Sequence, residues 1–244
     1  MRRTPRPERP NLDLEARPYN QPRRPIACYV TDRRSLGPGP ADPLPNLRER
    51  IRLSIDSGVD WIQIREKDLS GRELLALAHD TVSAAKRAMT THSTPCVYVN
   101  DRLDIALAAE ASGVHLGGQS LPAGDVVGWC RTGHASPEFR VGVSCHTMES
   151  AREAEQNGAS YIFFGPVFDT PSKRVYGPPQ GLDRLGDICR VIRIPVMAIG
   201  GIEEANAADC IRAGASGFAA IRLFQERSKV RLAEFLERLH AGSG

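Results

Sequence analysis

The sequence predicts an α/β protein, a single closed (β/α)8 TIM barrel of the phosphate-binding type. Three observations carry that expectation. Short apolar runs rich in β-branched residues alternate with amphipathic stretches eight times. Four of the amphipathic stretches end in similar tetrapeptides with glycine at the second position, and the seventh apolar run ends in a glycine pair, Gly200-Gly201. Continuous apolar strands separated by helices belong to parallel sheets covered on both faces, and 244 residues suit a barrel, which needs roughly 250.

In chain order the strands are expected at Ile26 to Thr31, Trp61 to Arg65, Cys96 to Val99, Val114 to Leu116, Val141 to Ser144, Tyr161 to Phe164, Val196 to Ile199 and Gly217 to Ile221. Helical periodicity lies between them near 45–57, 71–88, 102–111, 122–131, 147–157, 181–192, 203–213 and 227–240. The tetrapeptides Ser57-Gly58-Val59-Asp60, Ser112-Gly113-Val114-His115, Asn157-Gly158-Ala159-Ser160 and Ala213-Gly214-Ala215-Ser216 each close a helix before a strand. Glycine there suits the left-handed residue past a helix end. An open doubly wound sheet is the competing architecture, but no G-x-G-x-x-G follows the first strand.

Composition sets the outer limits. Apolar residues make up 41% and charged residues 25%, enough for a sizeable core. Residues 1–25 hold seven arginines against three acids, a net +4, so the rest of the chain carries −1 of the overall +3. That stretch is rich in Arg and Pro and is expected to be a disordered tail, with residues 26–244 as the one barrel domain. An organellar transit peptide is the rival reading of the tail, weakened by its lack of serine. A near-neutral body argues against a nucleic-acid partner, and no run of 18 apolar residues argues for a membrane. Six scattered cysteines without zinc-type spacing read as reduced core residues of a cytoplasmic protein. Homo-oligomerisation is left open.

In such a barrel the residues just after each strand form one ring, where the active site lies. Here that ring contains Gln63, Arg65 and Lys67, then Asn100 and Asp101, His115, Ser144 and His146, the loop with Thr170, Ser172 and Lys173, then Gly200, Gly201 and Ile221. The chemistry points to small-molecule phosphate substrates. Gly200 and Gly201 permit backbone N–H groups to approach phosphate, or else merely accommodate a turn. Arg65, Lys67 and Lys173 suit a diphosphate, or else form a solvated charge run. Asp101 is the candidate ligand for Mg²⁺, against the alternative of an ion pair with Arg102 or Arg65. His115 and His146 could orient or protonate a heteroaromatic ring, or make structural hydrogen bonds. The loop from Gly165 to Gln180 is long and broken by proline, as active-site lids are.

Taken together, Ile62-Gln63-Ile64-Arg65-Glu66-Lys67, Val99-Asn100-Asp101-Arg102, Gly113-Val114-His115-Leu116-Gly117, Gly142-Val143-Ser144, Gly165-Pro166-Val167-Phe168 and Ala198-Ile199-Gly200-Gly201-Ile202 resemble the thiamin phosphate synthase family, which includes the thiazole tautomerases. The resemblance implies a transferase that joins hydroxymethylpyrimidine diphosphate to thiazole phosphate and releases diphosphate, the pyrimidine–diphosphate bond ionising first. It further implies that Arg65, Lys67, Asn100, Ser144 and Lys173 hold the diphosphate and Asp101 binds Mg²⁺. Gln63 and His115 would contact the pyrimidine, and Thr170, Ser172, Gly200, Gly201 and Ile221 the thiazole phosphate. One departure stands out: synthases place acids after H-x-G-Q, one of them a second metal ligand, where this chain has Gly118-Gln119-Ser120. The tautomerase alternative would depend on His146. A third alternative is a non-catalytic barrel that binds a phosphate ligand.

Overall fold

The computed structural model describes residues 24–37, 43–88, 94–170 and 178–241. Eight parallel strands close into a barrel in sequence order, with the eighth pairing back onto the first through Ile26–Gly217 and Tyr29–Ala220. They are β1 (Ile26–Val30), β2 (Trp61–Ile64), β3 (Cys96–Asn100), β4 (Gly113–Leu116), β5 (Arg140–Cys145), β6 (Tyr161–Phe164), β7 (Val196–Ile199) and β8 (Gly217–Ala220). Helices α1 (Leu44–Asp56), α2 (Gly71–Arg87), α3 (Leu103–Ala108), α4 (Ala123–Trp129), α5 (Met148–Gln156), α6 (Gly181–Val191) and α7 (Glu204–Arg212) follow the first seven strands. After β8 come a four-residue helix, α8 (Arg222–Gln225), and the long α9 (Lys229–Ala241). The strands and long helices match the sequence periodicity to within a few residues. The short α8 was not foreseen, because four residues carry no period.

Helix boundaries follow local chemistry. Ser70 and Glu73 form a reciprocal capping box at the start of α2, and Thr147 and Ser150 do so at α5. Three of the four expected glycine endings adopt left-handed backbone: Gly58 at φ 91°, Gly158 at φ 82° and Gly214 at φ 103°. The fourth is different. Glu110 takes the left-handed position after α3, at φ 52°. Gly113 instead opens β4, where a Cβ would lie 2.0 Å from the carbonyl oxygen of Arg140. Its glycine is explained by interstrand closeness rather than by a helix end.

The outward faces of the strands pack with the helices in one large apolar layer, while Cys28, Val30, Trp61, Tyr98, Tyr161, Phe163, Met197 and Ala219 fill the lumen. Trp61, Tyr98 and Tyr161 pack against one another in tilted and edge-on contacts at centroid distances of 4.8 to 5.2 Å and floor the barrel, so a ligand enters from the strand C-termini. All six cysteines are free thiols, four of them buried.

At the opposite end, Arg24 pairs with Asp60, and its Nη1 lies 3.1 Å from Nδ1 of His240 on α9. The other oxygen of Asp60 accepts from the Ala27 amide at 2.9 Å and meets His240 Nε2 at 3.1 Å. Pro25 is buried. Residues 24 and 25, placed by composition in the tail, therefore belong to the barrel. Residues 1–23 lie outside the described residues.

Candidate active site

Side chains alternate along a strand, so the residues two beyond the lumen aromatics face the same interior one layer higher. Trp61 is thus followed by Gln63, Tyr98 by Asn100, and Gly142 by Ser144; His115, paired in register with Asn100, joins the same layer. These four polar residues form the floor of the strand-end ring.

On one side of the floor the groups link into a chain. Gln63 is 2% exposed, and its Nε2 donates to Asn100 Oδ1 at 2.8 Å. Asn100 Nδ2 donates to Asp101 Oδ2 at 2.6 Å. Asp101 has a left-handed backbone, φ 61°, and its Oδ1 accepts from the Gly117 amide at 3.2 Å and from the Ser120 hydroxyl. Ser120 Oγ itself accepts from the Gly117 amide at 2.7 Å. Neither expected arginine partner reaches Asp101: Arg102 pairs with Asp104 at 2.6 Å, and Arg65 makes no ion pair among the described residues. The carboxylate is therefore exposed, oriented and uncompensated by a cation among those residues.

On the other side His115 is 1% exposed, with Nδ1 3.2 Å from the Tyr161 hydroxyl and Nε2 2.9 Å from Ser144 Oγ. Burial drives its pKa down to about 3, against a small upward pull from Asp101, so the ring is neutral. Both ring nitrogens are thus engaged by hydroxyls of the protein, on Tyr161 and Ser144. Burial also keeps the Tyr161 phenol well above its usual range and hence protonated.

The Arg65-Glu66-Lys67 run divides by direction. Arg65 is half-buried and Lys67 exposed at the rim. Glu66 turns inward, 4% exposed, and accepts from the Arg33 amide at 3.2 Å and from its guanidinium at 2.9 Å. Arg33 also grips Asp68 at 2.6 Å, which with Arg34 holds that carboxyl well below its ordinary range. Buried Thr31 accepts the Arg65 amide at 2.9 Å and fixes the strand end from which Arg65 departs.

The glycine pair and Ile221 lie at the corner between the ends of β7 and β8. Gly200 and Gly201 are left-handed, φ 98° and 65°. A Cβ on Gly200 would lie 2.5 Å from Pro166 Cβ, and one on Gly201 2.6 Å from the Asp169 carbonyl oxygen. The β6 loop packs directly over the pair, donating from Val167 to the Ile199 carbonyl at 2.9 Å and from Phe168 to that of Gly200 at 3.0 Å. The far end of the loop returns through Gln180, whose amide donates to Pro166 O at 2.7 Å. The glycines thus have a structural cause that sequence reading ranked below phosphate approach. Ile221 caps the start of α8, whose buried Gln225 donates to the Asp32 carbonyl at 2.8 Å and accepts from Ser35 at 2.8 Å, tying this corner to the turn after β1. His146 is exposed, with Nδ1 hydrogen-bonded to the Gly165 carbonyl. Thr170 is half-buried on the same loop. Ser172 and Lys173 lie outside the described residues.

The profile of the family described as thiamine monophosphate synthase matches residues 30–224, which takes in every strand end just described. The chain belongs to this family. Its relatives include a putative thiamine-phosphate synthase of Geobacter sulfurreducens, 42% identical over 79% of this chain and 83% of the relative. A thiamine-phosphate synthase of Roseiflexus sp. is 40% identical over 80% of this chain and 76% of its own length. Among solved structures, a thiamine phosphate pyrophosphorylase of Pyrococcus furiosus superposes with a TM-score of 0.74 at 29% identity, covering 89% of this chain and 96% of that one. For a thiamine monophosphate synthase barrel, Tyr161, Thr31 and Gln225 are the supporting residues that the motifs did not contain. Tyr161 alone had a usable signal, its lumen-facing parity with Phe163 on β6.

Proposed function

We propose that this barrel carries out the thiamin phosphate synthase reaction at its strand-end ring, coupling hydroxymethylpyrimidine diphosphate to thiazole phosphate with loss of diphosphate. The observation that carries the reading is an oriented Asp101 at the end of β3 next to the end of β2, which bears Arg65 and Lys67, cationic side chains without an ion pair among the described residues. Such a rim suits a departing diphosphate accompanied by a divalent cation.

Among the described residues no three His, Cys, Asp or Glu side chains gather as a metal cage. One carboxylate beside a phosphate site nevertheless fits Mg²⁺, which is ordinarily held by one or two carboxylates plus phosphate oxygens and water. Asp101 would hold the ion, and the ion would supply charge neutralisation for the leaving diphosphate. Arg65 and Lys67 bind the diphosphate oxygens, and Lys173 adds a third cation from the β6 loop. Ser144 donates to the same group. Gln63 engages the pyrimidine ring from the floor, while Gly200, Gly201, Ile221, Thr170 and Ser172 receive the thiazole phosphate. No nucleophile is required from the protein: it stabilises the anion that leaves and holds the two rings in reach.

A thiazole tautomerase is the second reading, and one observation favours it. The Gly165 carbonyl takes the Nδ1 proton of His146, which leaves Nε2 as an exposed acceptor suited to proton transfer. Purified protein incubated with both substrates and Mg²⁺ tests the first reading: thiamin phosphate and diphosphate should form in equal amounts. Absence of coupled product with active controls would refute it.

A further inference from the structure

On the outer wall of the barrel, between α1 and α2, a groove of about 460 Å³ collects cations that the protein does not neutralise. Arg48 and Arg52 line it from α1, and His79, Asp80, Ser83 and Arg87 from α2. Three guanidiniums thus face one carboxylate. Arg48 Nη2 meets Asp80 Oδ2 at 3.2 Å, the only ion pair across the groove among the described residues. Arg52 and Arg87 are exposed and have no ion pair among those residues.

The groove between α6 and α7 supplies the contrast. It holds about 550 Å³, but each of its two arginines pairs with an aspartate of its own helix, Arg190 with Asp187 and Arg212 with Asp209. Charge there cancels locally. Between α1 and α2 it does not, although residues 26–244 carry only −1 overall.

Helical spacing places the surplus. Arg48 and Arg52, four residues apart, share one face of α1, and Asp80, Ser83 and Arg87 share one face of α2. The two helices run side by side in the same direction, and the Arg48–Asp80 contact sets their register. Arg52 then stands level with Ala84, and Arg87 lies three residues, about 4.5 Å, farther along the opposite wall. Side chains of that length converge on one anion from two sides, and their planar N–H forks suit phosphate oxygens. Half-buried Ser83 offers a hydroxyl beside them, whereas buried Thr81 spends its proton on the Leu77 carbonyl at 2.8 Å. No aromatic side chain lines the groove among the described residues, so a nucleobase has nothing to stack on.

We infer that the α1–α2 groove binds a small phosphorylated polyol, its phosphate between Arg52 and Arg87 and its hydroxyls on Ser83 and Asp80. A volume of about 460 Å³ falls in the range of small-molecule sites, roughly 300–1,000 Å³, and leaves room for more than a bare phosphate. The site lies outside the strand-end ring and is independent of the reaction proposed there.

NMR titration of the 244-residue chain near physiological salt tests this, with glycerol phosphate, inorganic phosphate and glycerol as probes. Backbone amides of α1 and α2 report on the groove, and those of Gly117 and Gly201 on the ring. Glycerol phosphate should shift the amides from His79 to Arg87 saturably and bind there about tenfold more tightly than inorganic phosphate; glycerol should not shift them. Arg52→Gln combined with Arg87→Gln should weaken glycerol phosphate at the groove by about tenfold or more and leave the response of the ring unchanged. Ser83→Ala should weaken glycerol phosphate about threefold without affecting inorganic phosphate. Melting curves verify folding, and the two single arginine variants carry the test if the double variant does not fold. No saturable shift at the groove, equal binding of the two phosphates, or a response that survives loss of both arginines would overturn the inference. Tighter binding of a glutamate-rich peptide than of glycerol phosphate would also overturn it and make the groove a docking site for an acidic protein segment.

Discussion

His115 Nε2 lies 2.9 Å from Ser144 Oγ, and the same ring holds the Tyr161 hydroxyl on its other nitrogen at 3.2 Å. With the imidazole neutral, only one nitrogen carries a proton. The buried phenol needs an acceptor and has His115 Nδ1, so Nε2–H donates to Ser144 and leaves the serine hydroxyl free to donate outward. Under the proposed function, Tyr161 sets the direction in which Ser144 donates to the diphosphate. Tyr161→Phe should raise the KM for the pyrimidine diphosphate by about fivefold through loss of one net hydrogen bond, and Ser144→Ala by about tenfold or more. Steady-state kinetics with the thiazole partner saturating would measure both.

The buried neutral His115 also makes stability depend on pH. Its folded pKa, about 3, lies below the unfolded value near 6.5, so the unfolded chain binds the extra proton first. The contribution is therefore complete above about pH 6.5 and is lost as pH falls toward 3. Between pH 7 and pH 5 the wild type should lose about 2 kcal/mol relative to His115→Gln, a window that precedes carboxylate titration. Denaturant midpoints of both proteins across that range would reveal it, and parallel curves would contradict the assignment.

Glu66 supplies a test of the rim. Its carboxylate is buried against Arg33, which is also largely enclosed, at 13% side-chain exposure. Glu66→Ala removes the buried one of the two carboxylates on Arg33 and leaves Asp68 in place, so it should cost about 2 kcal/mol in unfolding free energy. Lys67→Ala, at an exposed position, should change stability by less than about 0.5 kcal/mol while weakening diphosphate binding. Adjacent residues of one motif then divide into a structural and a functional role.

That division shows where sequence reading reaches its limit. The eight strands were legible because continuous apolar runs have one solution when helices intervene, and the ring of site residues followed because barrel geometry puts every strand end on one face. Direction was not legible. Arg65-Glu66-Lys67 reads as one run of charges at the site, and only the structure shows Glu66 turning toward Arg33 in the turn after β1, as only the structure shows both nitrogens of His115 engaged within the protein. Gly113 looked like a helix terminus because it follows a serine, as Gly58 does, yet it answers to Arg140 on the neighbouring strand. Such pairings join residues far apart in sequence and leave no local period.

Gly201 joins both causes in one residue. A side chain there would meet Asp169 O at 2.6 Å and Phe168 Cβ at 2.8 Å with φ at 65°. Gly201→Val should therefore lower unfolding free energy by roughly 1–3 kcal/mol and displace the β6 loop, weakening thiazole phosphate binding as well. Thermal melting beside phosphate-ligand titration separates the two effects; unchanged stability would mean that the loop yields without resistance.

The central claim is that Asp101 anchors Mg²⁺ against the departing diphosphate with a hydroxyl, Ser120, where the family resemblance implies a second acid. A coupling assay across a magnesium titration tests it most directly, run beside proton exchange on the thiazole phosphate. Wild type should form thiamin phosphate, Ser120→Asp should need roughly tenfold less Mg²⁺ through the added carboxylate, and Asp101→Ala should nearly abolish coupling. No thiamin phosphate at any magnesium concentration, together with exchange that disappears in His146→Ala, would contradict the claim and make the barrel a tautomerase.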